Sequence, residues 1–143
     1  MYHTGMSLDA LDRTAYAAVA ITSSALADVA GTELTFLGWR TLVILGEATG
    51  PVRLSDLAER LRLSLPSASK LVRRLDRRGF VTLGPNPDDR RGLLISLAAE
   101  GARVRTAVTQ RRRQLLADAL ADPVPEAFRD GLAVVASRLE RWI

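Results

Sequence analysis

Apolar residues recur at three- and four-residue steps along most of the chain, which is the spacing of amphipathic α-helices. A first helix is predicted from Ser7, as its N-cap, to about Ala30, with Gly31 ending it. Thr35 can cap a second helix over 36–48, which is apolar almost all round. A helix of that composition belongs inside the fold.

Two more helices follow, joined by a tight turn. Ser55 can cap a short helix that ends at Leu61, and Ser64 can cap a fourth helix from Leu65 to about Arg78. Two helices joined in this way have the plan of a helix-turn-helix.

The periodicity then changes from helical to alternating. Over 81–83 and 93–97 every second residue is apolar, as in β-strands, and turn-forming residues fill the nine positions between Leu83 and Leu93. Helical spacing returns over 99–121 and again after Asp122-Pro123. The predicted order is α-α-α-α-β-β-α-α, a mainly α fold with a small β-hairpin.

The fourth helix has two chemically different faces when it is drawn at about 100° per residue. One face carries small residues and cations and no carboxylate: Pro66, Ser67, Lys70, Arg73, Arg74 and Arg77. The other face is apolar: Leu65, Ala68, Leu71, Val72 and Leu75. Exposed helices usually mix acidic with basic residues, so this pattern favours an anionic partner over the alternative, an ordinary amphipathic surface helix.

The excess positive charge of the chain lies in its middle third. Residues 52–97 carry a net charge of +5, residues 1–51 a net charge of −3, and residues 98–143 a net charge of +2. A basic region of this kind is the electrostatic signature of nucleic-acid binding. The predicted hairpin adds Arg90 and Arg91 at its tip, and arginine side chains suit the narrow minor groove of DNA.

Composition excludes several other functions. The chain has no cysteine and a single histidine, His3, so thiolate or histidine metal sites and a histidine-based catalytic triad cannot be built. It has no glycine-rich phosphate loop in a strand–loop–helix context, and we expect neither enzymatic activity nor a cofactor. No apolar run approaches the roughly 18 residues of a membrane span, so a cytoplasmic protein is expected.

Residues 33–101 resemble the winged-helix core of the MarR family of bacterial transcriptional regulators. The segments that carry the resemblance are Leu34–Arg40, Leu54–Leu61, Ser64–Leu75, Arg77–Val81 and the wing sequence Asn86–Gly92, followed by Leu97. Asp89 and Arg91 match the Asp-x-Arg signature of the family wing. The family pattern then continues Leu-Thr, whereas this chain has Leu97-Ala98, which leaves the cap of the next helix to Ser96 or to nothing.

The resemblance implies a DNA-binding transcriptional regulator, which we expect to act as a repressor. The residues that would contact base edges and phosphates are Ser55, Pro66, Ser67, Ser69, Lys70, Arg73, Arg74, Arg77, Arg90 and Arg91. Arg91 would enter the minor groove with Asp89 bracing it. A winged-helix module that binds proteins instead of DNA is the alternative, because such folds are reused.

The resemblance also implies a homodimer, and apolar stripes at both ends of the chain favour one independently. The stripe residues are Leu8, Leu11, Val19, Phe128, Leu132, Val135, Leu139 and Trp142. The expected organisation is an N-terminal dimerisation helix (1–32), a DNA-binding core (33–98) and C-terminal dimerisation helices (99–143), all in one compact domain. A dimer would hold its two copies of the fourth helix, the reader helices that enter the major groove, about 34 Å apart on a pseudo-palindromic operator. The alternative is that the stripes are buried in a single core.

Relatives in this family often respond to small aromatic or phenolic ligands. Phe36, Trp39 and Arg40 are the residues that would line such a pocket here, with a role in the core as the alternative for the two aromatic residues.

Overall fold

The computed structural model describes residues 2–121 and 123–143, with side chains from residue 8 onward. It confirms a mainly α winged-helix fold with a small antiparallel sheet. The elements are α1 (Tyr2–Ala30), α2 (Phe36–Glu47), β1 (Val52–Arg53), α3 (Leu54–Leu61), α4 (Leu65–Arg77), β2 (Val81–Asn86), β3 (Asp89–Leu97), α5 (Ala99–Ala119) and α6 (Glu126–Leu139), with a 3₁₀ turn at Glu140–Trp142.

Of the N-caps predicted for the first two helices, the one at Ser7 is wrong and the one at Thr35 is confirmed. Helix α1 already begins at Tyr2, so the prediction that Ser7 caps it is wrong; no proline precedes Ser7 to stop the helix from extending. Helix α2 begins after Thr35, whose hydroxyl accepts a hydrogen bond from the Gly38 amide at 3.1 Å, as predicted.

Ser55 does not cap α3, because the chain enters that helix directly from a strand. Val52 and Arg53 form β1, which pairs with β3 opposite Ile95 and Leu94. Arg53 therefore occupies the N-cap position without a side-chain hydrogen bond, and Ser55 lies within the first turn of α3. A two-residue strand is too short to show alternation in the sequence, so the third strand of the sheet was missed.

The wing is a tighter hairpin than the sequence predicts. The sheet has the order β1-β3-β2, and β2 pairs with β3 from Val81 opposite Leu97 to Asn86 opposite Asp89, with a register irregularity at Pro85/Asn86. Only Pro87 and Asp88 form the turn, where the Asn86 side chain accepts a hydrogen bond from the Asp88 amide at 3.0 Å. The predicted nine-residue connection is therefore wrong, because both strands continue into it.

One hydrophobic core holds the second half of α1, helices α2 to α5 and the sheet together. Its buried members include Leu42, Leu57, Val72, Ile95 and Val108. Helix α5 begins after Ala98 without a side-chain cap, which is one of the two outcomes expected from the missing threonine. The start of α5 is held instead by a hydrogen bond from the Ala98 amide to the Phe80 carbonyl, at 3.1 Å.

The two ends of the chain contribute little to this core. Helix α6 has no buried residue, and it ends at Leu139, where the 3₁₀ turn begins. The stripe residues of both ends are exposed, apart from half-buried Val135, which contradicts the alternative that one chain buries them in its own core. In the described ranges, 2–121 and 123–143, we find no helix with the length and apolar character needed to cross a membrane.

Candidate functional site

Helix α4 starts with a well-ordered first turn. The Ser64 hydroxyl accepts a hydrogen bond from the Ser67 amide at 3.3 Å and lies 2.9 Å from the Ser67 hydroxyl, which confirms the predicted cap. Pro66 fits in this turn because its missing N–H would have no acceptor within the helix. The first turn of the helix therefore presents Pro66 and Ser67, two small residues, beside the exposed Leu65.

Helix α3 and the tight turn fix where α4 lies. Arg62 adopts a left-handed conformation, with φ of 55°, and its amide donates to the Glu59 carbonyl at 3.0 Å. The Leu63 amide donates to the Ala58 carbonyl at 2.8 Å, which closes the end of α3. At the other end of α4, the Arg78 side chain donates to the Glu33 carbonyl.

The basic face of α4 consists of Lys70, Arg73, Arg74 and Arg77, all four exposed. Together with Ser67, these residues line one groove over Leu37, Leu63 and Leu71. The ion pairs within the described part of the chain are Arg53–Asp88, Arg103–Glu100 and Arg111–Asp28, and none involves the basic face. Four cations on one surface without carboxylate partners repel each other, so the basic face suits a polyanion.

The wing cleft is a second groove, of about 530 Å³, between the first turns of α3 and α4 and the β2–β3 hairpin. Ser55, Pro66, Ser69 and Arg91 line it. The cleft therefore brings together predicted site residues from three elements that lie apart in the sequence.

Two aspartates shape the wing beside this cleft. The Asp89 carboxylate accepts a hydrogen bond from the Arg91 amide at 3.0 Å, so it braces the backbone of Arg91 and not its guanidinium. Asp88 lies 3.8 Å from the guanidinium of Arg53 in β1, an exposed pair that contributes little energy. Arg90 and Arg91 follow the two-residue turn directly after Asp89, at the irregular far end of the hairpin, although both are assigned to β3.

A separate cavity of about 630 Å³ lies between α1, α2, α5 and the C-terminal 3₁₀ turn. Phe36, Trp39 and Arg40 all line it, and the two aromatic ring centroids are 5.8 Å apart. Trp39 is also part of the hydrophobic core, at 7% exposure, so it combines the two predicted alternatives, whereas Phe36 is partly exposed. The Trp39 indole N–H is buried without a hydrogen-bond partner.

Arg112 of α5 completes the wall of this cavity. Its guanidinium carbon lies 5.3 Å from the centre of the Trp39 ring, within the range of a cation–π contact. Burial lowers the pKa of the Arg112 guanidinium, and the charge of Arg113 lowers it further. Arginine nevertheless stays cationic in proteins, so the cavity combines an aromatic wall with a positive charge.

Sequence reasoning missed three residues of these two sites. Arg53 lies in a strand too short to recognise, and Arg112 comes from a helix whose place beside α2 depends on long-range packing. Leu65 belongs to the apolar face of α4 in the helical projection, but it is 54% exposed and lines the wing cleft. It is the first residue of α4 and extends beyond the core that buries the rest of that face.

Comparison with known proteins places this arrangement in a family. Residues 32–92 match the sequence profile described as the MarR family. RV1404 from Mycobacterium tuberculosis is similar in structure, with 29% identity, a TM-score of 0.80 and coverage of 96% of this chain and 92% of that chain.

Two further crystal structures share the fold. A probable transcriptional regulator from Pseudomonas aeruginosa is 30% identical, with a TM-score of 0.62 and coverage of 90% of this chain and 95% of that chain. Sco3205 from Streptomyces coelicolor, a MarR family transcriptional regulator solved in complex with DNA, is 21% identical, with a TM-score of 0.69 and coverage of 98% and 89%. The family is one of transcriptional regulators and not of enzymes. The helix-turn-helix, the three-stranded sheet with its wing and these similarities together show that the chain belongs to the MarR family of transcriptional regulators.

Proposed function

We propose that this chain binds double-stranded DNA in a sequence-specific manner, with α4 in the major groove and the wing against the minor groove. The observation that carries the proposal is the basic face of α4, whose four cations have no carboxylate partner among the described residues. The DNA complex of the similar protein Sco3205 supports the same use of the fold here.

The groove along the basic face of α4 and the wing cleft suggest which residues contact bases and which contact phosphates. Lysine and arginine recognise the O6 and N7 atoms of guanine or bind phosphates, so Lys70 and Arg73 are proposed as reading residues. The small side chains of Pro66 and Ser67 in the first turn of α4 allow close approach to the bases. The remaining proposed contacts are those of Ser55, at the first turn of α3, with a phosphate, and those of Pro66, Ser67, Ser69, Arg74, Arg77, Arg90 and Arg91 with base edges and the backbone.

The test is selection of bound DNA from a random pool, followed by mobility-shift titrations of the recovered sequence across salt. Affinity should fall by about 0.9 log units per log unit of salt for each phosphate neutralised. Lys70→Ala or Arg73→Ala should cost about 1–3 kcal/mol of binding free energy, and Arg91→Ala should weaken binding to all sequences.

Arg103→Ala is the matched control, because the Arg103 guanidinium is already held by Glu100 at 2.6 and 2.8 Å. It should bind DNA as the wild type does. If no DNA is recovered, or if all the basic-face variants bind like the control, the proposal is refuted, and a protein-interaction module becomes the better reading of the fold.

The functional form is proposed to be a homodimer built from α1, α6 and the 3₁₀ turn, with 33–98 as the DNA-binding core between them. The stripe residues of both ends are exposed on a single chain, and large apolar groups gathered on a helix face are usually covered. Such a dimer would place two copies of α4 about 34 Å apart, the spacing of two half-sites in a pseudo-palindromic operator. Binding of the dimer to that operator would repress transcription.

One pair of substitutions in α6 tests the dimer. Leu139 and Val134 are 53% and 52% exposed, but only Leu139 belongs to the stripe. Leu139→Asp should therefore give monomers in analytical ultracentrifugation, whereas Val134→Asp should remain dimeric. Equal behaviour of the two variants would show that the stripe is not the interface. An inverted repeat in the selected DNA would independently support two-fold binding.

The cavity beside Trp39 is proposed as the site of a small aromatic or phenolic effector. An aromatic ring can pack against Phe36 and Trp39 in the cavity, while its anionic or phenolic oxygen faces the Arg112 charge. Such an effector releases DNA only if it binds the DNA-free arrangement of the reader helices more tightly.

Benzoate and phenol serve as probes of this site. Benzoate should reduce the DNA affinity of the wild type and of Arg113→Ala, whose side chain is exposed, and Arg112→Ala should need a much higher concentration. The same response of both arginine variants, or no response to either probe, would contradict an effector site at this cavity.

A further inference from the structure

Leu65 is an exception within α4. The other large apolar residues of the helix, Leu71, Val72 and Leu75, are at most 4% exposed, whereas Leu65 keeps 54% of its surface in contact with water. Exposed leucines are common in proteins. This one, however, lies on the surface that the proposed function assigns to DNA, which makes its chemistry informative.

The surroundings of Leu65 are polar and partly cationic. It lines the wing cleft together with Ser55, Ser69, Arg53 and Arg91, which suit phosphates and base edges. Asp88 and Asp89 line the cleft as well, but their carboxylates are engaged by the Arg53 guanidinium at 3.8 Å and by the Arg91 amide at 3.0 Å. A DNA duplex that enters this cleft would remove the exposed part of the leucine from water. Burial of this leucine is favourable only if an apolar group of the duplex contacts its side chain.

The first turn of α4 holds Leu65 in place before any ligand arrives. Ser64 caps the helix on one side of it, and the proline ring of Pro66 fixes the backbone on the other side. The leucine therefore loses little backbone freedom on binding. Residues at the N-terminal end of a reader helix are also those that reach base edges in the major groove.

We infer that Leu65 is a specificity-determining residue, which recognises the 5-methyl group of a thymine in the major groove. That methyl is the apolar group that the bases present there, and it alone distinguishes thymine from uracil. The inference rests on the proposed DNA binding and adds to it a preference for thymine at one position of each half-site.

The experiment replaces each thymine of the selected operator by deoxyuridine, one position at a time, which removes only the methyl group. Wild-type affinity should fall about fourfold at one thymine in each half-site, the factor that corresponds to burial of one methyl group. Leu65→Ala should bind the thymine operator more weakly and should not distinguish thymine from deoxyuridine at that position. Leu65→Met should keep the discrimination.

Leu65→Ala should still fold, since more than half of the Leu65 surface is exposed, and circular dichroism with thermal unfolding checks this. If Leu65→Ala discriminates as strongly as the wild type, or if the wild type is indifferent to every replacement, the inference fails while DNA binding stands. If no DNA is recovered from the random pool, both the proposed function and this inference fail.

Discussion

Gly101→Ala is expected to be one of the most destabilising single substitutions in the chain. Gly101 is buried in the first turn of α5, where a Cβ would lie 2.0 Å from the Phe80 carbonyl oxygen and 2.9 Å from the Leu97 side chain. The Phe80 oxygen cannot yield easily, because it accepts the Ala98 amide at 3.1 Å while the Phe80 amide donates to Leu75 at 3.0 Å.

The magnitude follows from opposing contributions. Alanine is favoured over glycine within a helix by about 0.5–1 kcal/mol. Against this, overpacking costs about 1–3 kcal/mol or more, and displacement of α5 weakens a hydrogen bond worth about 0.5–1.5 kcal/mol. A Cβ 2.0 Å from a carbonyl oxygen places the overpacking cost at about 3 kcal/mol, so the expected net loss is about 2.5–4 kcal/mol, which lowers the melting temperature of a chain this size by roughly 8–13 °C.

The measurement is urea unfolding followed by circular dichroism at one protein concentration, with the oligomeric state determined by ultracentrifugation. Gly131→Ala is the matched control, because Gly131 also lies within a helix and its Cβ would meet nothing within 4 Å in the same chain; since α6 is part of the proposed dimer surface, the control is compared at the same oligomeric state. The control should be as stable as the wild type or slightly more stable. A Gly101→Ala protein that unfolds together with the control would refute the packing argument.

Three smaller effects are expected elsewhere. Thr35→Ala removes the cap of α2 and should cost about 0.5–2 kcal/mol in urea unfolding, whereas Thr35→Ser should cost little. Gly46→Ala would press on the Arg105 side chain, which can move aside, so its stability should change by less than that of Gly101→Ala. Hydrogen bonding to Arg103 lowers the pKa of Glu100. The stabilisation from this pair is therefore present at neutral pH and is lost as the pH falls through the lowered pKa. In Arg103→Gln, carboxyl NMR titration should show that the pKa of Glu100 returns towards its usual value.

The parts of the fold that could be predicted are those set by local chemistry. The caps at Thr35 and Ser64 and the helical spacing of α2 and α4 determine where those helices lie, and the structure confirms them. The caps proposed at Ser7 and Ser55 are wrong, because a serine marks a helix start only where the preceding residues leave the helix. Before Ser55, the pairing of β1 with a strand some forty residues away holds Val52 and Arg53 extended, so that α3 begins at Leu54.

The candidate site was predictable in composition but not in shape. A helical projection places the basic residues of α4 on one face, yet it also places Leu65 among the buried residues, since a projection carries no information on where the core ends. The wing cleft and the cavity beside Trp39 each join residues from distant segments. Their existence depends on tertiary packing, which the spacing of residues along one helix does not determine.

The short strand β1 has a mechanical consequence. It pairs with β3 of the wing and continues without a linker into α3, so the hairpin and the helix-turn-helix share a covalent and a hydrogen-bonded connection. The wing cannot swing independently about its base unless this pairing opens. The hairpin and α4 should therefore approach a duplex as one rigid unit. A hairpin transplanted alone into another scaffold would lose its orientation relative to α4.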